Sequence, residues 1–359
     1  MSYVAIKGGA DSIRASKRFF RDFIGLAKGI GDDELQKGLI FSCDRIMSEG
    51  ALYSEKLAAE AMRRTGGDLF EAAFYLRAHR STCRRIGEAE PLNSYSMRVL
   101  RRISSAFKDI EGGQILGPSC DYVIRLFRVK IGDTPEFSAE RSGKSGLPPT
   151  LTDKDSTPSG VECLRRRDQI IVLENKEEKP FDVSRSFPLP PYPRSALMQV
   201  MSRGETGAML AFSYTSMRGY GDVHPTIGDL RIGYLSVEFI HPFTGNKVKI
   251  GEIRATSCES IGSFNRDPKD GKLRLATGFG FCIGFNETKA IAMSILDMAM
   301  HHKGYSIGGV DIASNPEIIM HHVDGIESSG FANHFKLPHY VTFQADLQVM
   351  KTAKEQTDE

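Results

Sequence analysis

Apolar residues recur at helical spacing through the first third of the chain. Phe19, Phe20, Phe23 and Ile24 follow Asp11 and Ser12, either of which can start a helix. Asp32 or Asp33 opens a second helix that carries Leu35, Leu39, Ile40, Ile46 and Met47 and stops near Gly50. Ser54 opens a third, ending at Gly66 and Gly67, and Asp68 caps a fourth over 69–85. A side-chain oxygen at a helix start accepts from amides that have no intrahelical partner, and glycine at the end admits left-handed backbone. The pattern predicts a helical domain over 1–128 with basic outer faces.

Over 129–180 the periodicity fades. Gly143, Gly146, Pro148, Pro149, Pro158 and Gly160 interrupt it, which reads as a linker or excursion with one short apolar piece at 168–173. Residues 186–193 are too proline-rich for a helix or a central strand and are expected to run extended over a surface. Ser195 is then expected to cap a helix through Leu197, Val200 and Met201. Beyond it, 209–214, 232–240, 247–253 and 279–285 resemble strands. Asn286 caps a helix over 287–301 that is apolar on nearly every face, the pattern of a buried helix. Asn315-Pro316 opens another, and 340–354 forms a last amphipathic one. Helices in one block and strands mixed with helices in a C-terminal domain over 181–359 give an α+β fold class.

Composition narrows the function. A chain of 359 residues with 40% hydrophobic residues can bury a sizeable core. A net charge of +2 argues against a nucleic-acid protein, which carries a marked basic surplus. Cys43, Cys83, Cys120, Cys163, Cys258 and Cys282 form no C-x-x-C pair, so neither a zinc ribbon nor an iron–sulfur cluster held by this chain alone is expected. Residues 1–9 have no apolar signal core, and no apolar run is long enough to cross a bilayer. The expected compartment is the cytoplasm, with no membrane partner.

Three segments carry candidate chemistry. In Arg218-Gly219-Tyr220-Gly221-Asp222-Val223-His224-Pro225, Arg218 offers a fork for phosphate, Tyr220 a hydroxyl and His224 a proton or a ligand. The alternative is a turn between strands with an exposed arginine. In residues 108–118, Lys108 and the Gly112-Gly113 amides can cradle an anion; the alternative is a helix stop followed by a turn. Near the C-terminus, His334 and His339 stand five positions apart with Pro338 before the second. On one helix they would point roughly 140° apart. A loop can turn both imidazoles to one point and supply half of a tetrahedral zinc shell. Two unrelated histidines near a helix start are the alternative. The adjacent pairs His301-His302 and His321-His322 are no natural chelates.

An ordered set of motifs resembles the PhnI family, a subunit of the bacterial carbon–phosphorus lyase machinery. They are residues 3–9 (Tyr-Val-Ala-Ile-Lys-Gly-Gly), 44–50, 101–121 with its Lys-Asp-Ile-Glu-Gly-Gly-Gln core, 218–221 with His224-Pro225, 278–300, and 330–341. Residues 129–180 do not match clearly. Asp222 departs from the family pattern and takes no role.

The resemblance implies a reaction and an assembly. With partner subunits, such a chain exchanges the base of a purine nucleoside triphosphate, ATP or GTP, for an alkylphosphonate at ribose C1′. Alone it behaves as a nucleosidase. The radical cleavage of the carbon–phosphorus bond falls to a separate iron–sulfur subunit. The resemblance further implies zinc on His334 and His339 at the face toward that radical subunit, and a hetero-oligomer. Magnesium is expected to accompany the triphosphate. Two other readings stay open: a non-catalytic scaffold that completes a partner's metal site, and an independent metal-dependent nucleosidase.

Overall fold

The computed structural model describes residues 9–25, 29–121, 157–173, 179–220, 225–302, 312–336 and 340–357. Five helices open it: α1 (Gly9–Ile24), α2 (Asp32–Gly38), α3 (Ile40–Gly50), α4 (Glu55–Arg64) and α5 (Leu69–Thr82). The Ser54 side chain accepts from Leu57 N, and the Asp68 carboxylate accepts from Phe70 N and Glu71 N, so both caps form as the sequence predicts. The helix expected over 32–50 is instead two, broken at Leu39, whose backbone (φ −123°, ψ 46°) is not helical. Gly38 is a poor helix former there, and Leu39 N closes α2 on Leu35 O. α3, α4 and α5 pack through Ile46, Met47, Ala58, Ala59, Met62, Ala72 and Leu76. α1 buries no residue.

The strands β1 (Arg98–Ile103), β2 (Thr226–Ile240), β3 (Lys247–Arg266) and β4 (Leu273–Ile283) form one antiparallel sheet in that order. The expected strands 232–240 and 247–253 lie within β2 and β3, and 279–285 overlaps β4 but runs two residues past its end at Ile283. β1 was not expected: it comes from the segment read as helical, and it joins the sheet by pairing Val99 with Gly233 and Arg102 with Arg231. The architecture is α+β.

The remaining helices are α6 (Glu162–Arg166), α7 (Arg194–Arg203), α8 (Thr206–Thr215), α9 (Glu287–His301), α10 (Pro316–His322), α11 (Gly325–Phe335) and α12 (Tyr340–Thr357). Residues 209–214, read as a strand, belong to α8. A short apolar run does not distinguish a strand from a buried helix, and here the Glu205 carboxylate caps Gly207 N and Ala208 N at the helix start. Pro193, not Ser195, stands at the start of α7; the Ser195 hydroxyl accepts from Phe181 N at 2.8 Å. Within the segment read as a linker, residues 157–173 are packed. Val161, Ile170 and Ile171 are buried, and Ile170 bridges Leu275 of β4. The remainder of 129–156 and residues 174–178 lie outside the described residues.

α9 lies on β3 and β4, buried as its sequence predicts, with Met293, Leu296 and Met298 shielded from solvent. Gly278 and Gly280 of β4 let its backbone approach so closely that an added Cβ would collide with Ser294 O and Ala290 O. Among the described residues no helix is long and apolar enough to cross a membrane.

Candidate functional site

Lys289 and Asp297 interrupt the largely apolar sequence of α9. Lys289 is fully buried, and its Nζ donates to Ser48 Oγ of α3 at 2.8 Å. Ser48 Oγ in turn donates to Ser202 O of α7 at 3.3 Å. Burial pushes the ammonium down to about 8, opposed by the charges of Cys282 and Glu49. Glu49 is buried too. Its Oε1 accepts from Arg45 Nε at 2.8 Å, Thr206 N at 3.0 Å and Thr206 Oγ1 at 2.8 Å, whereas its Oε2 has no hydrogen-bond partner. Asn286, the cap of α9, accepts from Lys289 N and donates to the same Thr206 hydroxyl at 2.9 Å.

Two further charges fix this junction. Asp44 of α3 accepts from Arg254 of β3 at 2.8 Å and from Phe285 N at 2.8 Å. Gly284 makes the turn beneath Asp44 at φ +84°, with no room for a side chain. Arg101 of β1, 1% exposed, meets Glu287 in the first turn of α9 at 2.6 Å and Asp121 at 2.5 Å, and donates to Leu116 O at 2.6 Å. Residues 44–50, 101–121 and 278–300 therefore converge on the start of α9. Glu287, a quarter exposed, and Asp121, half exposed, are both held by Arg101 and are accessible carboxylates of the group.

Arg102 and Arg231, 1% and 2% exposed, both donate to Asp229 on the next stretch of sheet. Burial opposes ionisation of Asp229, but those hydrogen bonds outweigh it and hold the carboxyl below its ordinary range. Arg102 also donates to Glu111 O at 2.6 Å, which anchors the glycine loop.

In that loop Gly112 packs against Thr157 and Arg102 with φ +84°. Gly113 N donates to Ile110 O at 2.9 Å, so its amide is used within the turn and not offered to an anion. Gln114 Nε2 donates to Phe107 O and Lys108 O. Lys108 is exposed. Arg218 lies in a π-helical turn, Ser216–Tyr220, that continues α8 rather than joining two strands. It is exposed, with its guanidinium 5.7 Å from the Tyr214 ring centre. The Tyr220 side chain and His224 lie outside the described residues. His334 is in the last turn of α11, not in a loop, exposed and edge-on to Phe335 at 6.2 Å. His339 lies outside the described residues, one position before α12 begins.

The family model for bacterial phosphonate metabolism protein (PhnI) matches residues 2–357. The chain belongs to the PhnI family. A putative C-P lyase subunit protein, HtxH, of Stutzerimonas stutzeri is 43% identical over 362 residues, covering 99% of this chain and 96% of that protein. The alpha-D-ribose 1-methylphosphonate 5-triphosphate synthase subunit PhnI of Escherichia coli (strain K12) is 36% identical over 99% of both chains. Its namesake in Rhizobium meliloti (strain 1021) is 34% identical over 99% of this chain and 96% of its own length.

The PhnI match spans the helical segment, the sheet and the C-terminal helices alike, so the charged junction at α9 lies inside it. Residue type alone does not single out Lys289, while the charges of 44–50 form ion pairs with Arg254 and within α3. Charged residues in a largely apolar helix, Lys289 and Asp297, were the available signal: such a residue is either exposed by a twist of the helix or buried against a partner.

Proposed function

We propose that this chain is a catalytic subunit of a carbon–phosphorus lyase complex. With its partner subunits, among them the iron–sulfur radical subunit, it exchanges the purine base of ATP or GTP for an alkylphosphonate at ribose C1′. The product is α-D-ribose 1-alkylphosphonate 5-triphosphate, and the chain alone acts as a nucleosidase. One observation carries this reading: 36% identity over 99% of both chains to a protein named as a subunit of that synthase. The compartment is the cytoplasm.

In the exchange the C1′–N bond breaks with its electron pair going to the base, and a C1′–O bond to the phosphonate forms. Positive charge gathers on the ribose ring, and the departing base takes a proton from an acid. A carboxylate near the ring steadies that charge. Glu287 is suited to this, because Arg101 fixes its orientation while part of it stays exposed. Arg218, with Tyr220 and His224 beside it in sequence, contacts the anionic substrate or moves the proton. Exposed and without a carboxylate partner among the described residues, Arg218 is free to bind phosphate oxygens. Lys108 and the Gly112 amide are a second phosphate contact, and magnesium accompanies the triphosphate as part of the substrate.

His334 and His339 would hold zinc, with the remaining ligands coming from a partner. The exposed imidazole at the end of α11 fits a half-shell open to a neighbouring chain. Zinc there supplies Lewis acidity toward a phosphate or phosphonate oxygen.

Incubation of the purified chain with ATP or GTP, followed by chromatography for free base, tests the reading. Release of adenine or guanine is expected. Addition of partner subunits and methylphosphonate is expected to replace hydrolysis by the ribose phosphonate ester. No free base from the chain and no ester from the reconstituted complex would overturn it.

A further inference from the structure

Behind Ser48 lies a cavity of about 250 Å³ between the end of α3, α5 and α7. Arg80, Arg85 and Arg203 line it, together with Ser48, Asp182 and Ser202. Only one of the three guanidinium groups is satisfied. Arg85 meets Asp182 at 2.6 Å and Ser184 Oγ at 3.1 Å. Arg80 is half-buried, with no carboxylate or hydrogen-bond acceptor on its side chain among the described residues. Arg203 makes no side-chain hydrogen bond, and its buried Nε is an orphan donor. Asp324, its nearest carboxylate at 3.6 Å, is engaged by Arg77, which reaches both oxygens at 2.8 and 2.7 Å. Burial, with the neighbouring charges of Arg77 and Arg80, holds Arg203 below the usual arginine range despite Asp324.

In two other cavities, arginines of the lining meet carboxylates. In a cavity of about 210 Å³ beside β3 and β4, Arg165 pairs with Glu259 and Arg194 with Asp297. In the open groove of about 1150 Å³ beside α1, Arg63 pairs with Asp32 and Arg64 with Glu60. The groove also keeps Lys17 and Arg21 without a carboxylate partner among the described residues, but both are exposed, whereas Arg80 and Arg203 in the cavity behind Ser48 are partly buried. Directly beneath it, the buried ammonium of Lys289 holds the Ser48 hydroxyl. A desolvated guanidinium with unused donors is costly unless an acceptor arrives, and a tetrahedral oxyanion matches its fork. At about 250 Å³ the cavity falls below the roughly 300–1,000 Å³ of sites for drug-sized ligands, so it suits phosphoryl groups rather than a whole nucleotide.

We propose that Arg80 and Arg203, with Arg85 at the rim, form an anion site for a phosphoryl or phosphonyl group. The group is either part of the nucleotide's triphosphate or the phosphonate itself. Only the naming of these two sources rests on the reaction proposed above; the site stands on its unsatisfied donors.

Calorimetric titration of the full chain with tripolyphosphate and with methylphosphonate tests this, with sulfate as the comparison. At least one of the two should bind more tightly than sulfate. Tighter binding of tripolyphosphate assigns the site to the triphosphate, and tighter binding of methylphosphonate to the phosphonate. Arg80→Gln and Arg203→Gln should each weaken that binding tenfold or more, and Arg14→Gln on α1 should not. Melting temperatures without ligand show whether each variant is folded; if Arg203→Gln is not, the half-buried and unpartnered Arg80 decides the matter. Equal binding of all three anions, no binding at millimolar concentration, or unchanged affinity in Arg80→Gln overturns the proposal. A chain that binds these anions but releases no base keeps the site and loses the reaction.

Discussion

Lys289 Nζ and Ser48 Oγ, 2.8 Å apart, join the helix that covers the sheet to the helix that carries Asp44 and Glu49. The bond holds a buried ammonium whose deprotonation is brought down to about 8 from an ordinary value of 10.5. An unfolded lysine keeps its proton up to the ordinary value, whereas the folded one gives it up near pH 8. Between those limits the unfolded state binds more protons, so this group's contribution to stability rises with pH. Below pH 8 both states are protonated and the burial penalty is constant, at about 3 kcal/mol. Lys289→Met should therefore be the more stable protein at pH 7, with the advantage shrinking toward about pH 9.5. Guanidinium unfolding at the two pH values checks this; a wild-type-to-variant gap independent of pH would exclude the assignment.

Asp229 lies between Arg102 and Arg231, with carboxylate contacts of 3.0 and 2.7 Å. Removing it leaves two buried guanidinium groups without their counter-charge, the kind of change that costs about 3–5 kcal/mol. Asp229→Ala should show that loss in urea unfolding at neutral pH. Because the folded carboxyl titrates below its unfolded value, its contribution is present above the unfolded pKa, near 4, and fades as pH falls through the folded one. Asp229→Asn should accordingly approach wild-type stability in acid. A difference that persists undiminished there would show that packing, not charge, is what Asp229 supplies.

The elements legible in the sequence are those set by local chemistry. Ser54, Asp68, Asn286 and Asn315 each cap the helix that follows them, because an N-cap satisfies amides two or three residues away and needs no distant partner. β1 was not legible for the opposite reason. Arg98, Arg101 and Arg102 give it no apolar alternation; as a strand it is held by its ladder with β2, by Val99 packing on Leu235 and Ala255, and by Glu252, Glu287, Asp121 and Asp229, which meet those arginines from elsewhere in the chain. The same non-locality hid Glu49 and Lys289, whose partners are Thr206 and Ser48. The α+β division survived these errors, since it rests on the long helix–strand blocks. The proposed anion site does not show in sequence, because an unpaired arginine looks the same there as a paired one.

Arg218 separates binding from folding. It is exposed on the π-helical turn with its guanidinium 5.7 Å from the Tyr214 ring centre and no ion pair among the described residues, so its loss should change stability by less than about 0.5 kcal/mol. If it grips phosphate oxygens in substrate and transition state alike, Arg218→Ala should raise KM for ATP about tenfold, equivalent to about 1.4 kcal/mol, and leave kcat nearly unchanged. Steady-state base release by the isolated chain gives both constants. Unaltered KM removes Arg218 from the phosphate contact; a fall in kcat at constant KM moves it to the proton-transfer step.

If His334 and His339 hold zinc as proposed, only the assembled complex can complete the shell. Two imidazoles complete half of a tetrahedral shell, so the isolated chain should bind zinc weakly and the complex tightly. His334 is exposed at the end of α11. His334→Ala should therefore leave the melting temperature of the isolated chain unchanged while removing zinc from the purified complex, and His339→Ala should do the same to the metal content. Metal analysis of wild-type and variant complexes, prepared in parallel, gives the answer. Zinc at equal stoichiometry in all three would place the metal elsewhere. Zinc lost from the variants with base exchange intact would make the metal a joint between subunits, with no part in holding the phosphonate.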